Sequence, residues 1–179
     1  MTFYVRNLPH WHPPGADIFI TWRLHGSLPA QLRPQFKKSD PAGKIFAKFD
    51  RALDRAQSGP LWLKNERIAE TIIAALRTSE QRKQFILRAY VLMANHVHVL
   101  LTPQSPIPEI TRGIKGATAR QANLILRRSG APFWQDESFD HWIRTPGEWQ
   151  KIRRYIEQNP VAVGLVDSPE DWPWSSAKK

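Results

Sequence analysis

The feature that most constrains the fold is a regular alternation in residues 96–101. There, His96 and His98 alternate with valines, and leucines complete the run. This is the period of a β-strand, in which residues two apart point to the same face. The apolar run 85–93 precedes it and a turn separates the two, so the sequence predicts a β-hairpin that carries both imidazoles on one face.

The same two histidines form a candidate metal site. Two imidazoles that project from one strand face can bind a single ion, because neutral imidazole nitrogens are common metal ligands. An isolated His-x-His pattern also occurs where two histidines simply pack on a sheet. The pattern alone therefore leaves both interpretations open.

A helix that carries a tyrosine is predicted near the C-terminus. Thr145 is an N-cap candidate, a proline follows it, and Glu148 completes a capping box. An apolar stripe then recurs at helical spacing, and Tyr155 and Asn159 lie beside it on one face because they are four residues apart. Pro160 is the expected end of this helix. A tyrosine beside an apolar stripe can equally belong to the core.

The remaining pattern predicts one α+β domain spanning residues 1–179, with no repeat and no second core. Residues 1–15 are rich in His and Pro and are expected to be irregular, and residues 161–179 are expected to form a Trp-rich tail. The other predicted elements are a strand at 16–24, helices at 44–57, 66–77 and about 109–128 (the last capped by Gly130), and a strand at 137–144.

The charge balance favours a polyanionic partner. Lys and Arg number 26 against 16 Asp and Glu, which gives a net charge of +10 at pH 7. Such a surplus in a small domain is typical of nucleic-acid binding, although basic side chains on a helix can also be merely solvated. The cations expected to contact DNA lie in the third and the last predicted helices: Arg112, Lys115, Arg120, Arg127, Arg128, Lys151 and Arg154.

Composition also bears on location. There are no cysteines, so disulfides and thiolate metal sites are excluded. No apolar run approaches the length of a membrane helix, and residues 1–15 lack the pattern of a secretory signal. A cytoplasmic protein associated with the nucleoid is therefore expected, without a membrane partner.

Taken in order along the chain, several segments resemble one family, the REP-associated tyrosine transposases, which are a branch of the single-tyrosine HUH transposases. One departure is Ala94, where the family commonly has proline; it affects the turn before His96 and removes no chemical group. The segments that carry the resemblance are residues 18–24, 90–98, 133–140, 154–166 and 172–176.

The resemblance implies a HUH-type nuclease domain: a ferredoxin-like antiparallel sheet of four to five strands with helices packed on it. It implies that Tyr155 is the nucleophile and that His96, His98 and Asn159 bind Mg²⁺ or Mn²⁺. The implied substrate is single-stranded DNA folded as a hairpin, cut through a covalent 5′-phosphotyrosine intermediate. The site could be built within a monomer or by exchange of the tyrosine helix in a homodimer.

Three other functions remain open at the level of sequence. A non-catalytic protein on the same scaffold would bind DNA hairpins without cleavage. A metal-dependent nuclease that activates water would cleave without a covalent adduct. An RNA-binding domain would expose aromatic side chains on its sheet, where unpaired bases stack.

Overall fold

The computed structural model describes residues 2–5, 9–13, 15–28, 50–55 and 59–178. Short 3₁₀ turns lie at Trp62–Lys64 and, in the C-terminal tail, at Pro169–Asp171. The described strands and α-helices, in chain order, are β1 (Thr2–Val5), β2 (Pro9–His12), β3 (Ile18–Arg23), α1 (described over 50–54), α2 (Glu66–Gln81), β4 (Phe85–Leu92), β5 (His96–Pro103), α3 (Ile107–Ile125), β6 (Phe139–Trp142) and α4 (Pro146–Ala162).

A four-stranded antiparallel sheet forms the centre of the described structure, with strand order β4–β5–β3–β6. Chain order β3–α2–β4–β5–α3–β6 combined with this strand order is the ferredoxin-like arrangement, so the expected α+β fold is confirmed. Among the described helices, none is both long and apolar enough to cross a membrane.

Helices cover both faces of the sheet. One face packs on α2 and α3 through a large apolar cluster that includes Val97 and Val99. The other face packs on α4 through a second cluster that includes Leu100 and Ile156. Because side chains alternate along β5, the valines face α2 and α3 while His96 and His98 face α4. Both aromatic residues of β3, Phe19 and Trp22, are buried. Their burial disfavours an RNA-binding domain that stacks bases on exposed aromatic side chains of its sheet.

The expectation that residues 1–15 are irregular is wrong. β1 and β2 pair antiparallel as a separate two-stranded sheet, with Thr2 opposite His12. The sequence of β1 consists of β-branched and aromatic residues, which favour extended backbone. A four-residue strand is too short for its periodicity to stand out beside neighbouring His and Pro.

The prediction that Pro160 ends the last helix is also wrong, because α4 continues to Ala162 with Pro160 inside it. Proline has a helical φ, and so close to the end its missing N–H removes only one hydrogen bond. The helix stops instead at Gly164, whose φ of 71° is left-handed, with Leu165 N–H donating to the carbonyl of Pro160. Asn159 is therefore a helical residue.

Other helix boundaries also differ from expectation. α2 extends to Gln81, beyond the predicted end at residue 77. α3 ends at Ile125, before Arg127 and Arg128, because Arg127 itself turns left-handed with a φ of 54° ahead of Gly130. Of the helix predicted at 44–57, residues 50–54 are helical and Arg55 is a turn, and the rest of the predicted range lies outside the described residues.

The Trp-rich tail runs beside the outer edge of the sheet. Leu92 N–H donates to the carbonyl of Trp174, Ser176 N–H donates to the carbonyl of Tyr90, and the indole of Trp172 donates to the carbonyl of Leu92. These bonds satisfy backbone groups of β4 that an open edge would leave exposed to pairing with other chains. The tail is thus an ordered part of the fold.

Candidate metal centre and tyrosine site

The two histidines predicted to bind metal converge on one point. β5 is an interior strand, and both His96 and His98 are completely shielded from solvent. Their Nε2 atoms lie 3.0 Å apart. Two nitrogen lone pairs repel at this distance unless a proton or a cation lies between them. The donor set therefore fits a bound cation.

Hydrogen bonds on the far side of each ring orient these nitrogens. The side-chain amide of Asn95 donates to the carbonyl of Leu53 at 3.0 Å, which leaves its oxygen 2.7 Å from Nδ1 of His96. Nδ1 of His96 must then carry the proton, and Nε2 keeps its lone pair. Nδ1 of His98 lies 2.7 Å from the hydroxyl of Thr21. Such partners are typical of metal-binding histidines.

A carboxylate that the sequence did not predict completes the cluster. Asp50 Oδ1, on α1, lies 3.2 Å from Nε2 of His98 and 3.9 Å from Nε2 of His96. The three ligand atoms of Asp50, His96 and His98 all lie within 4.8 Å of one another, so this buried group could bind a metal ion. Asp54, one helical turn further on, approaches Nε2 of His96 at 3.6 Å.

Burial dominates the ionisation of this cluster. It is the main reason why the pKa of His96 falls to about 3, with the neighbouring His98 adding to the effect and Asp50 opposing it. Burial and then the negative charge of Asp50 raise the pKa of Asp54 to about 7, against the attraction of His98. Burial alone would raise the pKa of Asp50, but His98 and, more weakly, His96 hold it below its ordinary value.

Tyr155 lies beside the histidines on the same face of the sheet. Its ring centroid is 5.5 Å from that of His98 and 6.2 Å from that of Phe19, which itself stacks on His98 at 5.6 Å. The apolar side of α4 brings it there, because Ile156 is completely buried against the sheet. Thr145 caps the start of α4 as predicted, with its hydroxyl accepting from Glu148 N–H at 3.1 Å.

Asn159 lies on the same side of the sheet as the histidines, whereas Tyr90 lies on the opposite side. Asn159, the predicted third metal ligand, is buried on α4, and its side-chain oxygen has no hydrogen-bond partner among the described residues. A buried amide oxygen of this kind is unusual, because such groups are normally satisfied. Tyr90, the other tyrosine close to the histidines in sequence, belongs to the cluster on the opposite face of the sheet.

The cations predicted to contact DNA do not form one surface. Those of α3 and the turn after it lie on the opposite side of the sheet from Tyr155, whereas Lys151 and Arg154 are exposed on α4. Arg112, Arg120 and Arg127 are exposed. Arg128 packs over the ring of Trp62.

Lys115 has a structural role in addition to any contact with DNA. Its amine donates to the carbonyls of Gln135 and Asp136 at 2.6 and 2.8 Å. With Arg112 and the acidic residue Glu137, it lines a groove of about 1300 Å³ between α3 and the segment leading to β6. The groove is of mixed charge.

Sequence reasoning missed Asp50, Asp54 and Thr21. The two aspartates are four residues apart within a predicted helix, which indicates that they share one helical face. Nothing in the sequence connects that face to histidines more than 40 residues later, because only the folded chain brings α1 to the turn before β5. Thr21 is the cross-strand partner of His98, which requires the register of β3 on β5.

Comparison with known protein families gives a match over much of the chain. The model of the family described as "Transposase IS200 like" matches residues 60–159, which include both histidines, Tyr155 and Asn159. Asp50 and Asp54 lie outside the matched segment.

Individual proteins are also similar to this chain. The REP-associated tyrosine transposase of Escherichia coli (strain K12) is 26% identical over 95 residues, or 52% of this chain and 55% of that protein. This chain thus matches about half the length of that relative. The solved structure of a REP-associated tyrosine transposase bound to a REP hairpin has a TM-score of 0.59 at 21% identity, covering 98% of this chain and 82% of the other, a likeness of fold.

Proposed function

The chain belongs to the IS200-like transposase family, and we propose that it is a metal-dependent endonuclease and strand transferase for single-stranded DNA that forms hairpins. The observation that carries this proposal is the contact between the rings of Tyr155 and His98, 5.5 Å apart within a single chain. A nucleophile and two candidate metal ligands share one face of the sheet. This arrangement supports a site formed within one chain.

Tyr155 is the proposed nucleophile. Its phenolic oxygen attacks the scissile phosphorus, the bond from phosphorus to the 3′ oxygen breaks, and the phenolic proton ends on that oxygen as a 3′-OH. The protein is then joined to the 5′ phosphate of the downstream strand. One phosphodiester bond replaces another, so strand transfer to a new 3′-OH needs no external energy source.

A divalent cation would supply what the phenol lacks near neutral pH. The ordinary pKa of tyrosine is about 10, and a bound Mg²⁺ or Mn²⁺ polarises and orients the phosphate so that the phenol can attack it. His96 and His98 would hold the cation, with Asn159 as the further ligand that the resemblance implies. Imidazole donors favour Mn²⁺ over Mg²⁺. Asn95 and Thr21 keep the two rings turned towards the cation.

The proposed partner is hairpin or single-stranded DNA. The net charge of +10 supports a phosphate-binding surface. The solved relative of similar fold is described as bound to a REP hairpin. Lys151 and Arg154 are on the helix that carries Tyr155 and would hold the strand near the scissile phosphate, while the cations of α3 would contact a more distant part of the hairpin. A protein with this substrate would act in the cytoplasm, at the nucleoid.

A covalent adduct tests this proposal. Hairpin oligonucleotides labelled at the 3′ end are incubated with the protein and Mn²⁺ and separated on a denaturing protein gel. The expected result is a labelled protein band, together with an unattached 5′ fragment that ends in 3′-OH. Tyr155→Phe, which removes only the hydroxyl, should bind the hairpin but form no adduct.

The matched control is Tyr90→Phe. The same hydroxyl is removed from the opposite face of the sheet, so the adduct should persist. Cleavage by the wild type without any adduct would instead indicate a nuclease that activates water. Hairpin binding without cleavage under any metal would indicate a non-catalytic DNA-binding protein.

A further inference from the structure

We propose that Asp50 is a further ligand of the catalytic cation, so that α1 and β5 together supply three of its donor atoms. This inference rests on the proposed function only for the premise that the protein uses a divalent cation. Asp50 lies ten residues before the segment that the family model matches. The ligand is therefore a property of this chain and not of the matched family segment.

The distances among the three donor atoms fit one ion. Adjacent ligands about 2.1 to 2.2 Å from an octahedral cation are separated from each other by about 3 Å. The Nε2 atoms of His96 and His98 are 3.0 Å apart. Asp50 Oδ1 is 3.2 Å from Nε2 of His98 and 3.9 Å from Nε2 of His96. A small closure around the cation would bring the longest of these distances into range.

The position of Asp50 is fixed by the fold. Asn95 donates to the carbonyl of Leu53 on α1, which ties this helix to the turn before β5. Leu53 is itself buried, and Asp50 is only 4% exposed. One hydrogen-bonded residue, Asn95, therefore orients His96 and at the same time positions the helix that carries Asp50.

Charge balance also favours a cation at this point. The carboxylates of Asp50 and Asp54 both lie within 4 Å of the imidazoles. In this part of the described structure no Lys or Arg is paired with either carboxylate. A buried carboxylate is either protonated or compensated by a positive charge, and Asp50, whose pKa His98 holds below its ordinary value despite burial, stays ionised. A divalent cation between Asp50 and the two imidazoles supplies that positive charge.

A consequence for the reaction follows from where the ligands lie. Both histidines are shielded from solvent, so a scissile phosphate reaches a cation held by them only after the packing around the site opens. With Asp50 as a ligand, three donors from α1 and β5 hold the cation independently of any contribution from Asn159 on α4. The carboxylate also reduces the net charge of the site by one, which strengthens the hold on a divalent ion.

Mn²⁺ binding to the full-length protein tests this inference without DNA. The concentration of unbound Mn²⁺ is followed by its electron paramagnetic resonance signal, and affinity is checked by titration calorimetry. Asp50→Asn should weaken binding by at least about tenfold, because it removes the only charged ligand of the proposed set. Asp167→Asn, the same change at an exposed position, should have no effect.

Undiminished Mn²⁺ affinity in a folded Asp50→Asn variant would overturn the inference. If Asp50→Asn does not fold, anomalous diffraction from wild-type crystals with Mn²⁺ decides. An ion within about 2.5 Å of Asp50 Oδ1 supports the inference, and a longer distance refutes it. If the protein forms the adduct but its Mn²⁺ affinity does not depend on Asp50, only this inference is refuted. If its Mn²⁺ affinity depends on Asp50 but no adduct forms, only the proposed function is refuted.

Discussion

The hydroxyl of Thr21 lies 2.7 Å from Nδ1 of His98, across the register of two neighbouring strands. This contact orients the imidazole of His98 and determines which nitrogen faces the metal site. Donation from Nδ1 to the hydroxyl leaves the lone pair of Nε2 directed at the cation. Thr21 thus controls His98 without contacting the ion.

Thr21→Val should therefore reduce Mn²⁺ affinity by about tenfold or more while preserving the fold. Valine has nearly the same shape as threonine but cannot hydrogen-bond to the imidazole. Calorimetric titration measures the affinity, and circular dichroism checks the fold. Thr71→Val on α2, on the other side of the sheet, is the control. Equal Mn²⁺ affinity in the Thr21 and Thr71 variants would exclude this orienting role.

His96→Ala and His98→Ala should each abolish Mn²⁺ binding and adduct formation and leave the ferredoxin-like fold intact. Each substitution removes one of only two nitrogen donors, while the apolar side chains on the other face of β5 keep the sheet packed. Calorimetry and the adduct assay provide the two readouts. Retention of both activities in either variant would move the metal site elsewhere.

Asp54→Asn should stabilise the metal-free protein at neutral pH. The folded-state pKa of about 7 exceeds the ordinary 3.8, so between these values the folded state binds more protons than the unfolded state. The stability that Asp54 contributes to the unsubstituted protein is fully present below pH 3.8 and is lost as pH rises towards 7. The difference in melting temperature, variant minus parent, should therefore grow from pH 4 to pH 7 and then level off.

The matched control for this experiment is the exposed Asp167→Asn. Melting curves recorded with a chelator give the required temperatures. A difference that does not vary with pH would show that Asp54 titrates in the same way in the folded and unfolded states.

Replacement of both Lys151 and Arg154 by Gln should weaken hairpin binding and make it less sensitive to salt. Each lost phosphate contact lowers the slope of log affinity against log salt by about 0.7 to 0.9. Fluorescence anisotropy between low and moderate salt measures this slope. Lys64→Gln with Arg67→Gln makes the same charge change on the opposite side of the sheet. An equal effect of the two pairs would indicate only general electrostatic attraction.

Local signals in the sequence were sufficient for much of the site. The alternation in residues 96–101 predicted that His96 and His98 share a strand face, and Thr145 with its following proline predicted where the tyrosine helix begins. These features depend on residues within one or two turns of each other, so periodicity and capping preferences reveal them. The roles of Tyr155 and Asn159 came from the resemblance to a family and remain proposals.

The tertiary structure alone decided what surrounds those residues. Asp50 reaches His98 across 48 positions of sequence, Thr21 reaches it through strand register, and the cations of α3 lie on the side of the sheet away from Tyr155. The physical reason is that the hydrophobic pattern specifies which face of each element is buried but not which elements meet. Strand order and helix packing settle that choice, and with it the partners of the two histidines.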